Sequence, residues 1–294
     1  MRLSSILTVL DKPKHPQTAL EASIKLQQPS GAKIDLVAFR WDALLDASSM
    51  FDAKQRRHLR HQINTKCADW QAQLIEQTDI DADHTSARMI WSKNIADWLV
   101  DELKLNAKDL LVKSVHGKGS MLYTPMDWQL LRACSTPILF SRTKKNRPSK
   151  RILVALDFSH DDTKHNRLNN KVLQAACCFA ELTGSELHCI FAIEISPVLR
   201  DLDLVDAKVS KRHFLEKSES FIERTLRAFD IPKSRRHFPI GKAGQLINAK
   251  AHQLNADLIV MGTSAHKFRQ VIGLGNTAER ILTKARTDVL AVHP

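Results

Sequence analysis

The stretch Ile6-Leu7-Thr8-Val9-Leu10-Asp11 returns in the second half of the chain as Ile152-Leu153-Val154-Ala155-Leu156-Asp157. Each copy is a short apolar run that ends in an aspartate, and such a run is typical of a buried strand in a parallel sheet. Three pairs of similar segments in one order indicate a tandem duplication of a whole domain rather than a solenoid. The other two pairs are 104–112 with 252–260, and 135–139 with 286–290.

A basic stretch that contains a proline, residues 143–150, separates the two copies. Proline and a run of like charges favour a linker over a helix or a strand. A chain of 294 residues also has the length of two domains of about 150 residues each. We therefore predict one domain over 1–143 and a second over 150–294.

Within each half, short apolar runs alternate with segments of helical periodicity. Five such runs between helices predict an α/β fold, a parallel sheet with helices on both faces. Ligands of these sheets bind beyond the carboxyl ends of the strands. The strands predicted in the second half are 152–156, 187–193, 236–238, 257–261 and 288–292, and the long helix of the first half is predicted at 52–77.

The loop after Met261 contains the most distinctive local chemistry. Gly262 is suited to a sharp turn off the strand, and Gly275, Asn276 and Thr277 precede a predicted helix. A helix start offers free amides and a positive partial charge, which favour a phosphate. Asp157, at the end of a neighbouring strand, is suited to accept a hydrogen bond from a ribose hydroxyl. The alternative is that the glycines mark turns and that Asn276 or Thr277 only caps the helix.

These segments resemble the universal stress protein family over nearly the whole chain. Nucleotide-binding members of that family carry G-x2-G-x9-G-[S/T] after the fourth strand, and this chain has Gly262-x2-Ala265-x9-Gly275-Asn276 at the same spacing. The segments 123–132 and 274–279 resemble the tandem E-type members. The resemblance implies five parallel strands of order 3-2-1-4-5 in each half. It also implies a cytoplasmic stress-response role, usually without an established reaction.

The resemblance further implies a site for ATP or another adenine nucleotide in the second half. In that site Asp157 faces the ribose and Ala192 offers its backbone to the adenine. Gly262 and Gly275 let backbone amides approach the phosphates, and the motif continues through Ala265, Asn276 and Thr277.

Two residues of the second half depart from the family pattern. Ala265 replaces a glycine, and its methyl group crowds a phosphate or disfavours a positive φ. Asn276 replaces a hydroxyl residue; it remains a suitable helix cap but does not reproduce a small hydroxyl contact. We therefore expect a nucleotide site in the second half whose motif has one intact and two altered elements.

The first half departs further from the same pattern. Ser114 and Gly117 stand where the second half has Gly262 and Ala265, and Thr124-Pro125 replaces Gly275-Asn276. Proline supplies no amide donor. We therefore expect a degenerate domain that does not bind ATP in the family manner.

Composition bears on compartment and partners. The net charge is +12, which raises nucleic-acid binding as an alternative, but the basic residues are scattered and only 6% of residues are aromatic. We therefore expect nucleic acid to be an unlikely partner. No apolar run reaches the roughly 18 residues of a membrane span. Five cysteines without a C-x-x-C motif indicate reduced thiols in a cytoplasmic protein.

Several smaller clusters have a functional and a structural interpretation. For Asp161-Asp162 a metal site competes with a solvated turn, and for His58 with His61 a zinc site competes with a solvated helix face. We expect the structural interpretation of both, and core packing for Cys177 and Cys178. His116 and His266 occupy comparable loops. For each of them, contact with an anionic ligand is one interpretation and an ordinary exposed side chain is the other. All five tryptophans lie in the first half, where we expect them to fill the core or to line an apolar pocket for another ligand: Trp41, Trp70, Trp91, Trp98 and Trp128.

The leading functional hypothesis is a tandem binding or interaction module without a reaction of its own, with no catalytic or metal site. The first alternative is a weak ATP-binding or ATP-hydrolysing switch that uses the second half, and the second is nucleic-acid binding through a basic surface. The expected partners are proteins of unknown identity, a small ligand and no membrane. We also predict pairing of the two halves through the edge strands 137–141 and 288–292, with a further dimer optional.

Overall fold

The computed structural model describes residues 2–47, 50–115, 125–142, 149–195, 198, 206–263 and 277–294. The chain divides into two compact units. One contains Arg2–Val115 and Pro125–Thr143, and we call it the first half. The other contains Lys144–Pro294, and we call it the second half.

The first half is a parallel five-stranded sheet with helices between the strands. Its strand order is β3-β2-β1-β4-β5, and every neighbouring pair within it is parallel. The predicted order is therefore confirmed. The elements are β1 (Ser5–Val9), α1 (Thr18–Ser30), β2 (Lys33–Arg40), α2 (Ala43–Ala47), α3 (Ala53–Glu76), β3 (Thr85–Trp91), α4 (Ile95–Leu105), β4 (Leu110–Ser114), α5 (Pro125–Ala133) and β5 (Ile138–Ser141).

The second half repeats this topology. Its strands run in the order β8-β7-β6-β9-β10, which is 3-2-1-4-5 in the numbering of that half, and the neighbouring pairs are again parallel. The elements are β6 (Arg151–Ala155), α6 (Thr163–Thr183), β7 (Glu186–Ile190), α7 (Ala207–Arg227), β8 (Arg236–His237), α8 (Ala243–Gln253), β9 (Leu258–Gly262), α9 (Thr277–Lys284) and β10 (Asp288–Val292).

The central strands are apolar because helices cover both faces of the sheet. Residues 110–114 of β4 are all buried, as are residues 152–154 of β6. Helix α6 begins where the Asp162 carboxylate accepts the backbone N–H groups of Lys164 and His165. It ends at Gly184, whose φ of 61° is the left-handed conformation that glycine adopts without a steric penalty.

The five tryptophans do not fill the core of the first half, so that prediction is wrong. Trp41 is exposed and the other four are only half-buried. Four of the indole rings lie instead against cationic side chains, at 5.0–5.7 Å from the ring centroid. The pairs are Arg40 with Trp70, Arg60 with Trp91, Arg88 with Trp98 and Lys93 with Trp41.

The cysteines are all free thiols, and four of the five are buried. Burial raises the pKa of the Cys189 thiol to about 12, so this group stays protonated at neutral pH. Among the described residues, no helix is both long and apolar enough to cross a membrane.

Two histidines face each other on β7 and β8. His188 Nδ1 lies 3.3 Å from His237 Nε2, and the two ring planes differ by 8°. Burial lowers the pKa of His188, and Arg235 lowers it further while Glu186 opposes the shift. Burial, then Lys250 and His188, lowers the pKa of His237 to about 4. The pair is therefore uncharged in the folded protein at neutral pH.

This pair predicts a loss of stability in acid. An unfolded histidine binds a proton near pH 6.5, whereas folded His237 does so only near pH 4, so stability falls as the pH drops between these values. Because the ring is partly exposed, we expect a loss of about 1–2 kcal/mol between pH 7.5 and pH 4.5. Urea unfolding followed by circular dichroism should show a smaller loss for His237→Asn. The control His58→Gln, at an exposed position, should behave as wild type; an equal response of both variants would contradict the prediction.

Candidate functional site

A cavity of about 680 Å³ lies at the carboxyl ends of β6, β7 and β9 in the second half. Helices α6 to α9 contribute the rest of its wall. This is the crevice at which ligands of doubly wound sheets bind. Its polar lining includes Asp157, Ser159, His160, Lys164, His165, Asn169, Glu194 and Thr277; its apolar lining includes Leu168, Val172, Phe191, Ile193, Phe214, Ile247, Met261 and Ile281.

Asp157 stands at the mouth of this cavity, where the chain leaves β6. Its backbone N–H donates to Asn169 Oδ1 at 3.1 Å, and Asn169 Nδ2 donates to the Asp157 carbonyl at 2.7 Å. Asn169 is buried on α6, so these two bonds fix the position of the aspartate. The carboxylate oxygen Oδ1 accepts from the backbone N–H of Ser159 at 2.9 Å. Within the described residues Oδ2 has no hydrogen bond and is available to a ligand hydroxyl.

Ala192 lies two residues beyond the end of β7. Successive residues of a strand direct their N–H and C=O groups to opposite edges. Phe191 and Ile193 donate to carbonyls of His237 and Pro239 on the β8 side. Ala192 therefore directs its N–H and C=O to the other side, where β6 has already ended, and no hydrogen bond to them is present in the part of the chain that is described.

Gly262 is the last residue of β9, and its role differs from the predicted sharp turn. It does not have a positive φ. A Cβ at this position would lie 2.8 Å from Leu168 Cδ2, well inside van der Waals contact. The glycine leaves room for the Leu168 side chain of α6, which packs on the strand end. Leu168 is distant in sequence, so sequence reasoning did not identify this contact.

Thr277 is the first residue of α9 and lines the cavity. Gly244 on α8, which sequence reasoning missed, lets α9 approach closely: a Cβ there would lie 2.6 Å from Arg280 Cβ. Asn248 strengthens this contact, because its side-chain amide donates to backbone carbonyls of both helices. The predicted positions Ala265, Gly275 and Asn276 lie outside the described residues, as do His116 and His266.

Polar side chains that the motif did not predict line the cavity mouth. Lys164, His160 and His165 come from the β6–α6 connection and the first turn of α6, with the two imidazole centroids 5.0 Å apart. Glu194 lies opposite, and its Oε1 accepts the Ala243 N–H at 2.8 Å at the start of α8. These residues could have been predicted from the sequence, because they follow strands whose carboxyl ends lie at the crevice.

The two carboxylates of Asp161-Asp162 are already engaged, which favours the structural interpretation. Asp162 caps α6, and its Oδ2 lies 2.6 Å from His165 Nδ1. Asp161 accepts from Asn166 at 2.9 Å and lies 3.3 Å from Arg224. His58 and His61 are exposed on α3. Among the residues that the structure describes, no group of three or more His, Cys, Asp or Glu side chains is arranged to hold a metal ion.

Comparison with known proteins identifies the family. The universal stress protein family model matches residues 148–293. Over the full chain, the sequence is 26% identical to a universal stress protein E homolog of Haemophilus influenzae, and the alignment covers 98% of that relative. It is 24% identical to universal stress protein E of Escherichia coli, with 99% of this chain and 94% of the relative covered.

This chain belongs to the universal stress protein family. Its full-length similarity to E-type members extends the assignment to the first half. A crystal structure of a functionally unknown protein from Pseudomonas aeruginosa has a TM-score of 0.73 and 23% identity, and the match covers 99% of this chain and 93% of that one. That likeness shows a shared fold.

The two halves of this universal stress protein can be compared position by position. The bond from Leu10 N–H to the Val37 carbonyl corresponds to that from Leu156 N–H to the Ile190 carbonyl. This register places Phe39 at the position of Ala192. Phe39 is buried, and its ring packs edge-on against Trp98 at a centroid distance of 5.3 Å. The first half therefore has a large aromatic ring at the position where the second half has the small side chain of Ala192.

The first half also has a buried ion pair where the second half has an apolar wall. Lys113 aligns with Met261 and Asp127 with Ala278, and both apolar counterparts line the cavity. Lys113 Nζ lies 2.8 Å from Asp127 Oδ1, and the two side chains are only 7% and 0% exposed. Lys113 also donates to the Ser114 carbonyl at 2.9 Å. Side chains of the first half thus occupy positions that border open space in the second.

Proposed function

We propose that this universal stress protein is a non-enzymatic stress-response binding module of the cytoplasm whose second half holds an adenine nucleotide. One observation carries the proposal: the unpaired backbone groups of Ala192 and the available Oδ2 of Asp157 border the same cavity. These groups supply a donor, an acceptor and a carboxylate to one ligand.

The cavity suits a nucleotide in size and chemistry. Its volume of about 680 Å³ falls within the range of roughly 300–1,000 Å³ that is usual for small-molecule sites. An N–H and a C=O on one strand edge complement the ring nitrogen acceptor and the amino donor of adenine. The methyl group of Ala192 leaves room for a flat base, and Phe191 and Ile193 provide apolar surface on either side of it.

We expect other residues to contact the phosphates of the nucleotide. Lys164, His160 and His165 provide cationic or hydrogen-bonding groups at the cavity mouth. The first amides of α6 are already bonded to Asp162, so the side chains of this turn are better placed than its backbone to meet an anion. Contributions from Ala265, Gly275 and Asn276 stay predictions.

The decisive variant is Asp157→Asn. If Oδ2 accepts a ribose hydroxyl, we expect ATP and AMP affinity to fall at least tenfold, because a hydrogen bond to a charged group contributes about 1.5–3 kcal/mol. Isothermal titration calorimetry and native mass spectrometry of protein purified without added nucleotide measure this directly. Asp161→Asn is the matched control, since that carboxylate bonds Asn166 and Arg224 outside the cavity.

Two results would contradict the proposal. One is the absence of bound or titratable nucleotide at millimolar ATP, and the other is an equal effect of the two variants. Phosphate release measured over hours distinguishes the binding module from the alternative of an ATP-hydrolysing switch. For the binding module we expect bound ATP to be recovered intact.

A further inference from the structure

Helix α3 begins with fourteen residues, Ala53–Lys66, of which none is buried. This segment carries Lys54, Arg56, Arg57, Arg60 and Lys66 and no carboxylate. The buried residues of α3, Cys67 and Gln71, come only after it. We call Ala53–Lys66 the basic segment.

The spacing of its charges is unfavourable to the helix itself. Lys54 and Arg57 are three residues apart and share one face of the helix. Like charges at this spacing destabilise a helix, and no acidic residue of the segment offsets them. The capping box of Asp52 with Gln55 supports the start of the helix but does not neutralise this face. A polyanion would relieve the repulsion.

An exposed aromatic ring lies beside the basic segment. The Arg60 guanidinium is 5.0 Å from the Trp91 ring centroid and bonds the Asp46 carboxylate. Asp46 also accepts the indole N–H of Trp41 at 2.6 Å. Trp41 is 39% exposed, and Lys93 Nζ lies 5.1 Å from its ring centroid. A single aspartate thus holds the exposed indole next to the cationic helix.

We propose that the basic segment and Trp41 form a surface for single-stranded nucleic acid. The phosphates lie along Lys54, Arg57 and the following turns, and a base stacks on the indole of Trp41. The segment is about 20 Å long at 1.5 Å per residue, which accommodates a few successive phosphates. A basic track beside an aromatic ring is the usual arrangement for strand binding without sequence preference. The scattered charge and few aromatics in the sequence did not predict this cluster.

An anionic membrane is a less suitable partner for the same charges. A helix that lies on a membrane needs a broad apolar face to insert. The large apolar side chains of the basic segment are Leu59 and Ile63, and both are already half-buried against the protein. Leu44 and Met50 are exposed nearby, but they lie outside this helix.

The test is fluorescence anisotropy of a labelled 15-nucleotide oligo(dT) between 50 and 200 mM KCl. For the full chain we expect affinity to fall steeply with salt. Removing two phosphate contacts with Lys54→Gln and Arg57→Gln should weaken binding at least tenfold. It should also reduce the slope of log K against log salt by about 1.4, since each contact to a single strand contributes about 0.7. The matched control is Arg212→Gln with Lys217→Gln on α7, which removes the same charge from exposed positions.

Trp41 provides a second, independent readout. Trp41→Leu should weaken binding about tenfold and reduce the quenching of tryptophan fluorescence by the oligonucleotide, whereas Trp41→Phe should retain most of the affinity. The circular dichroism of each variant verifies the fold. The proposal is overturned if the α3 and α7 variants bind alike, if binding does not depend on salt, or if a duplex of equal length binds more tightly. Binding only to vesicles with 30% phosphatidylglycerol would also overturn it.

Discussion

Lys113→Met is expected to lower the unfolding free energy of the first half by about 3–5 kcal/mol. The change removes the Lys113 cation from beside the buried Asp127 carboxylate, and breaking one side of a buried ion pair typically costs this much. Adding Asp127→Ala should recover more than half of the loss, because the double variant carries the apolar residue types found at Met261 and Ala278. Replacing both partners of a buried pair by apolar groups is often close to neutral.

The measurement is selective because all five tryptophans lie in the first half. Urea unfolding followed by tryptophan fluorescence therefore reports on that half, and circular dichroism reports on both. Lys104→Met, which removes an exposed ion pair with Asp101, is the control and should change stability by less than about 1 kcal/mol. A double variant that is less stable than Lys113→Met would show that the pair does not behave as a unit.

Gly262→Val should damage the second half in both stability and binding. Its Cβ would meet Leu168 Cδ2 at 2.8 Å, and overpacking of this kind costs about 1–3 kcal/mol. The added methyl groups also lie at the cavity, so we expect nucleotide binding to be lost. Adding Leu168→Ala makes room and should restore part of the stability.

Circular dichroism during urea unfolding measures this change, and calorimetry with ATP measures the ligand. Tryptophan fluorescence should remain as in wild type, since it reports on the first half. Gly31→Ala is a useful contrast: its φ of 65° makes the substitution costly, but no atom lies within 4 Å of the added carbon. Wild-type stability of Gly262→Val would exclude the close approach of α6 as the reason for this glycine.

The alternation of strands and helices in both halves could be predicted because it depends on local signals, namely apolar runs, helical periodicity and the repeated segments. The strand order followed from the family resemblance, and α3 occurs where the sequence predicts it. The positions of Asp157, Ala192, Gly262 and Thr277 at one crevice follow from the same pattern together with the family resemblance.

What could not be predicted depends on partners that are distant along the chain. The reason for Gly262 is Leu168, which only the packing of α6 brings near. The tryptophans were expected in the core because indoles are usually buried, yet arginine and lysine side chains cover four of them. A lysine inside the apolar run of β4 was a usable signal for Lys113, since a buried cation requires a partner. No comparable signal in the sequence identifies Asp127 as the partner of Lys113.

The buried pair of Lys113 and Asp127 has a consequence for how the two copies diverged after the duplication. An ancestor with only one of the two charges would have carried a buried ion without this ion pair. The two changes therefore depend on each other, and once both are present neither reverts alone without a large penalty. Selection that later favoured apolar residues at these two positions would therefore have to change both together.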